Sequence, residues 1–148
     1  MGGVIDKSGS HWKGDGFDDL ADYVRQYTAA NQYPAELVVQ SVCSTCGESA
    51  FNLSLDDEEG CAERRCVKCS QTAFIGDSEE FWSDAEPGAA TCPCDLDVFD
   101  IAVGFSLRPD GDVQWISVGC RCTACGILGV YVDWNIDYSP TVQLLSAV

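Results

Sequence analysis

Cys43-Ser44-Thr45-Cys46-Gly47, followed after 19 residues by Cys66-Val67-Lys68-Cys69, is the stretch that decides how this chain is built. The device returns as Cys92-Pro93-Cys94 and, 27 residues further on, as Cys122-Thr123-Ala124-Cys125-Gly126. Eight of the ten cysteines therefore fall into four close pairs. A pair of thiols at this spacing fills two corners of a tetrahedron, and the spacer returns the chain to supply the other two. The pattern points to four-cysteine metal sites and to zinc, against a disulfide framework as the alternative.

The residues around the pairs follow the two-residue period of strands. Leu37-Val38-Val39-Gln40-Ser41-Val42 leads into the first pair, and Phe51, Leu53 and Leu55 alternate with polar neighbours beyond it. Asp57-Glu58-Glu59-Gly60 turns the chain back through Cys61 to Arg65, and Thr72 to Ile75 forms another strand. Phe99, Ile101, Val103, Phe105 and Leu107 alternate in the second half. Arg108-Pro109-Asp110-Gly111-Asp112 turns that strand, and Val130, Val132, Trp134, Ile136 and Tyr138 alternate after the last pair. Only Phe17, Leu20, Ala21, Val24, Tyr27 and Thr28 recur at helical spacing, behind a candidate Asp15 cap. Asp77 to Trp82 reads as a short capped helical turn.

These readings divide the chain into a Gly-rich, mobile N-terminus at 1–14, a helix at 15–34, a first unit at 35–86 and a larger second unit at 87–148. Glu86-Pro87-Gly88-Ala89-Ala90 is the expected linker. Both units share one order of cysteine pair, strand, turn, strand, cysteine pair, strand, which suggests an internal duplication. The fold class is mainly β with one N-terminal helix, in two antiparallel units.

With its cysteine pairs next to hairpin strands, each unit resembles the zinc-ribbon class, over roughly residues 37–76 and 90–138. The resemblance implies one site from Cys43, Cys46, Cys66 and Cys69 and another from Cys92, Cys94, Cys122 and Cys125. It implies two structural zinc ions and left-handed turns at Gly47 and Gly126. Ser70 stands where a glycine is expected, and Cys92-Pro93-Cys94 is one residue short. Cys61 and Cys120 remain as alternative ligands, with burial as small hydrophobes the competing account. Four thiolates per ion make a closed site, the structural rather than the catalytic kind.

Eight Lys and Arg stand against 24 Asp and Glu, a net charge of −16. Eight thiolates and two divalent ions would take this to about −20. Such a field repels phosphate backbones and favours a basic protein partner. Arg64, Arg65, Lys68 and Arg121 flank the cysteines and either offset the thiolate charge or touch nucleic acid. The lone histidine, His11, and the Asp95, Asp97 and Asp100 cluster give little support to acid–base chemistry, and no phosphate loop or nucleophile elbow is visible. Enzyme activity is not expected. No signal peptide or membrane-length apolar run is seen, so the cytoplasm is the expected compartment.

The expected function is that of a small interaction protein whose acidic surface binds, and in one form inhibits, a basic partner such as a toxin or nuclease. Asp56, Asp57, Glu58 and Glu59 at one hairpin tip, and Asp110 and Asp112 at the other, are the candidate contacts. Nucleic-acid or transcription-machinery work of the kind zinc ribbons serve is the alternative; a metal-dependent enzyme using the aspartates is a third. Trp115 and Trp134 read as core, and Tyr131 as an exposed contact.

Overall fold

The computed structural model describes residues 5, 7, 9, 11–138 and 140–148. It is mainly antiparallel β with one long helix near the N-terminus. Helix α1 is Phe17–Ala30, and the strands are β1 Leu37–Gln40, β2 Ala50–Asp56, β3 Cys61–Cys66, β4 Thr72–Phe74, β5 Gly88–Ala89, β6 Phe99–Leu107, β7 Val113–Cys122 and β8 Leu128–Asn135. A one-turn helix, α2 at Ser78–Phe81, and two 3₁₀ turns, Trp82–Asp84 and Val142–Ser146, complete the chain. The last of these turns has no apolar periodicity to announce it; it is held by the burial of Leu144.

All eight strands join one sheet, in the order β4-β3-β2-β6-β7-β8, with β1 added to β6 and β5 added to β2. The centre is the antiparallel β2–β6 pair, where Phe51 faces Phe99. Phe51 also pairs with Cys66, and Phe99 with Cys122. From this centre the two hairpins run in opposite directions, so their tips lie at opposite ends of the sheet. The strand that leads into the first cysteine turn of each unit pairs with the other unit's hairpin: β1 with β6, and β5 with β2. The expected linker at 86–90 is thus a piece of sheet. Its peptide groups find ladder partners, as in the Ala90 N–H to Leu53 O bond of 2.8 Å.

Alternation along β6 and β7 sorts the two faces. Phe99, Ile101, Val103 and Phe105, with Val118, Cys120 and Cys122, enter the main core beside Phe51, Leu53, Ile75, Val132 and Trp134. Ala102, Gly104 and Gly119 take the opposite face, where Leu20 and Val24 of α1 pack. The helix can approach this closely because the floor beneath Val24 is made of Gly104 and Gly119.

The helix is shorter than 15–34 and begins without the expected Asp15 cap. Gly16 is the N-cap and makes no side-chain bond; Asp19 Oδ2 accepts the Asp15 N–H instead, at 2.8 Å. Asp77 is the N-cap residue of α2 but makes no side-chain capping bond, because its carboxylate accepts from Trp134 Nε1 at 3.0 Å and the Tyr138 hydroxyl at 2.7 Å. Residues 12 and 14 of the expected lead-in are bonded to the second unit. Leu128 N–H donates to Trp12 O at 2.8 Å, and Gly14 N–H donates to Gly126 O at 2.9 Å. Residues 1–4, 6, 8 and 10 of that lead-in lie outside the described residues.

Candidate metal centres

Each of the four cysteine turns is built by the same two backbone bonds. The carbonyl of the first cysteine accepts the N–H of the residue after the second: Gly47 to Cys43 (2.9 Å), Ser70 to Cys66 (3.0 Å), Asp95 to Cys92 (2.8 Å) and Gly126 to Cys122 (2.8 Å). The first cysteine's own N–H donates one residue further on, to Glu48, Gln71, Leu96 and Ile127. The donors that close the turns are all left-handed, with φ of 77° at Gly47, 66° at Ser70, 74° at Asp95 and 81° at Gly126. Ser70 and Asp95 therefore adopt what was expected only of glycine. The Cys92-Pro93-Cys94 turn is one residue shorter than the others and still makes the two corresponding bonds.

The turns meet in pairs. Cys43, Cys46, Cys66 and Cys69 form one cluster and Cys92, Cys94, Cys122 and Cys125 the other, with all sulfurs of a cluster within 4.8 Å of one another. Cys43 Sγ lies 3.6 Å from Cys69 Sγ, Cys46 Sγ 3.5 Å from Cys66 Sγ, Cys92 Sγ 3.5 Å from Cys125 Sγ and Cys94 Sγ 3.6 Å from Cys122 Sγ. A disulfide needs about 2.05 Å. Four sulfurs around an ion at about 2.3 Å stand about 3.8 Å apart, so these clusters fit a tetrahedral thiolate site. Tetrad one falls within 35–86 and tetrad two within 87–148. Cys61 and Cys120 are in neither; both are fully buried in the protein interior.

Backbone amides prepare the first thiol of three turns for ligation. The N–H groups of Cys46 and Thr45 pull Cys43 down to about 6. At Cys122 burial acts upward, but the amides of Cys125 and Ala124 outweigh it and bring the thiol to about 7. Cys66 is lowered by the amides of Cys69 and Lys68. Cys46, Cys69 and Cys94 each receive one backbone N–H, yet burial and the neighbouring thiols push them up. Thiols crowded this closely ionise together only around a cation. The two tetrads can hold metal ions.

The basic residues beside the tetrads separate into two groups. Arg64 is buried, donates from Nε to Val148 O at 2.7 Å, and lies 4.6 Å over the Phe51 ring. Arg121 donates to Gly14 O at 2.7 Å and pairs with Asp100 at 2.9 Å. Both act inside the fold. Arg65 and Lys68 stay exposed, with Arg65 sharing a shallow cleft with Asp97.

The acidic candidates are also divided. Asp56 Oδ1 accepts the Glu58 and Glu59 N–H groups (2.9 and 3.3 Å), and Oδ2 accepts that of Glu86 (2.8 Å). These amides, Glu86 first, hold its carboxyl below the usual range. Asp57, Glu58 and Glu59 are exposed and join Asp84 and Glu86 around an open basin of about 570 Å³. The sequence reading missed Asp84 and Glu86, which only the turn back to β5 brings there. At the opposite end, Asp110 is exposed, while Asp112 Oδ1 accepts the Thr141 N–H at 2.9 Å.

Two further expectations concerned aromatic residues. Tyr131 is half-buried, not an open contact, and sets its ring edge-on to Phe99 at 5.2 Å. Trp134 is buried as expected; Trp115 is half-buried and stacks on Tyr33 at 4.7 Å.

No helix among the described residues is long and apolar enough to cross a membrane. Compared with known proteins, the chain matches no family model, no curated protein and no solved structure.

Proposed function

We propose that this protein is a zinc-clasped interaction module whose negative surface binds a basic protein partner. The observation that carries the reading is the excess of acidic over basic residues together with the exposed carboxylates gathered at one turn. Arg64, Arg108 and Arg121 are spent on carbonyls and on Asp100 within the fold. The acidic residues around the Asp57–Glu59 turn face solvent. The net charge of −16 steers a basic partner toward the surface, and the turn supplies the local contacts. Inhibition of a basic toxin or nuclease by covering its phosphate-binding surface is one concrete form.

Zinc is the metal favoured by an all-thiolate tetrahedral donor set. Its role here is to hold the scaffold, since four sulfurs leave no open position for water or substrate. The scaffold reads as a duplicated zinc ribbon in which each repeat lends its leading strand to the other. Support comes from the mirrored strand order about Phe51 and Phe99 and from the four identically bonded turns. A nucleic-acid role beside the tetrads would have to rest on Arg65 and Lys68, and Arg65 shares its cleft with Asp97.

The test is capture from the native host with wild-type protein and a triple variant, Asp57→Asn, Glu58→Gln and Glu59→Gln. A basic protein held at low salt, released as salt rises and bound about tenfold more weakly by the variant supports the reading. Retention indifferent to both salt and the triple variant, or retention of nucleic acid instead, overturns it.

A further inference from the structure

We infer that the cleft between the Trp12 segment and helix α1 receives a cationic side chain, a lysine or arginine presented by a protein partner. The inference deepens the preceding reading and rests on its premise that the partner is basic. It concerns a different surface from the acidic turn.

The cleft encloses about 430 Å³, and Trp12, Tyr23, Gln26, Tyr27 and Leu128 are among the residues that line it. Three aromatic rings stand in series along it. Trp12 meets Tyr23 edge-on at 5.7 Å and 80°, and Tyr23 is followed by Tyr27 at 6.3 Å, one helical turn on. Ring faces carry partial negative charge, so walls of this kind attract cations as well as apolar stems. A lysine or arginine brings both: methylenes to lie against Leu128 and the rings, and a charged end.

The chain itself shows the preference. Lys7 Nζ lies 4.4 Å from the centre of the Trp12 ring and donates to Gln26 Oε1 at 3.2 Å. An exposed ammonium of this protein thus already uses two residues of the cleft wall. The surroundings favour positive charge as well. Burial first, and then the Asp133 carboxylate, raise the Tyr27 hydroxyl.

The wall is also fixed in place. Trp12 O accepts from Leu128, Gly14 is bonded to Gly126, and Arg121 Nε donates to Gly14 O at 2.7 Å. The Trp12 ring is therefore positioned by the turn that carries Cys122 and Cys125. A preformed aromatic wall costs an incoming side chain less ordering than a mobile one would.

The experiment uses the metal-loaded full chain and two peptides of one sequence, one carrying a single lysine and the other norleucine in its place. Binding is read from the NMR signal of the Trp12 indole N–H, assigned with Trp12→Phe. The lysine peptide is expected to shift this signal and to bind at least about twofold more tightly than its norleucine twin. Lys7→Ala, at an exposed position, is expected to tighten lysine-peptide binding about two- to fivefold, and Tyr27→Leu to weaken it by a similar factor. Equal binding of the two peptides, an unmoved Trp12 signal, or an affinity unchanged by Lys7→Ala overturns the inference. The triple variant of the acidic turn separates the two proposals. If it retains the lysine-peptide response yet captures the partner as well as wild type does, the acidic-turn reading fails and the cleft stands.

Discussion

Ser70 and Asp95 carry a cost that Gly47 and Gly126 avoid, because a Cβ crowds the backbone at the left-handed φ that closes a cysteine turn. They persist because the turn's two backbone bonds and the sulfur cluster fix the conformation from both sides. Ser70→Gly should therefore relieve strain of about 1–2 kcal/mol while giving up about 0.5–1 kcal/mol of unfolded-chain entropy. The expected net gain of about 0.5–1 kcal/mol should appear as a higher urea midpoint with an unchanged slope. Arg64 shows the opposite relation between charge and environment. Burial lowers its pKa, while the nearby Cys43 and Cys66 thiolates act against that shift. A residue that looks like a phosphate contact in the sequence is, in the fold, a bridge from tetrad one to the end of the C-terminal segment.

Among the elements, α1 depends on the two glycines beneath Val24. A Cβ built at Gly119 would overlap Val24 Cγ2, and one at Gly104 would come within 2.8 Å of Val24 Cγ1. Gly119→Val should push the helix off the sheet and cost about 1–3 kcal/mol in urea unfolding. Gly88→Ala, in open space on β5, serves as the control and should leave the midpoint nearly unchanged. The same helix supports Tyr23 and Tyr27, so its seating also sets the width of the cleft it shares with Trp12.

At the scale of the molecule, the two tetrads hold one sheet and not two independent ribbons. β1 and the second hairpin are bonded together, as are β5 and the first. Loss of one ion should therefore be felt in both halves. Elemental analysis should find two metal ions per chain in the wild type and in both Cys61→Ala and Cys120→Ala, and one in Cys94→Ser. Structural zinc contributes about 10–16 kcal/mol in small domains, more than the whole stability of most proteins this size. Chelation should accordingly abolish cooperative thermal unfolding of both units together. Survival of one unit's transition after loss of the other's metal would show that the shared sheet does not couple them.

The spacing of eight cysteines was enough to pair the turns into tetrads, because a tetrahedral site needs two pairs and a returning spacer and little else. Alternation located the long strands β2, β6 and β8, since a period of two persists wherever one face is buried. The spacing could not show that Asp95 takes the left-handed role of a glycine, because only the turn's hydrogen bonds impose it. Nor could it show that the Asp77 carboxylate, instead of making a capping bond, would accept from Trp134 and Tyr138, which are far away along the chain. The exchange of β1 and β5 between hairpins was equally hidden, since the apolar run of β1 does not name its partner and the two residues of β5 leave no readable period. The cleft at Trp12 had no local signal either: its walls come from the lead-in, the helix and the strand after Cys125. The cysteines by themselves determined the covalent logic of the clasps, because ligation depends on residue type and spacing. Which charges stay in solvent and which surfaces meet was decided by the tertiary structure, because burial and long-range hydrogen bonding exist only once the chain has closed on itself.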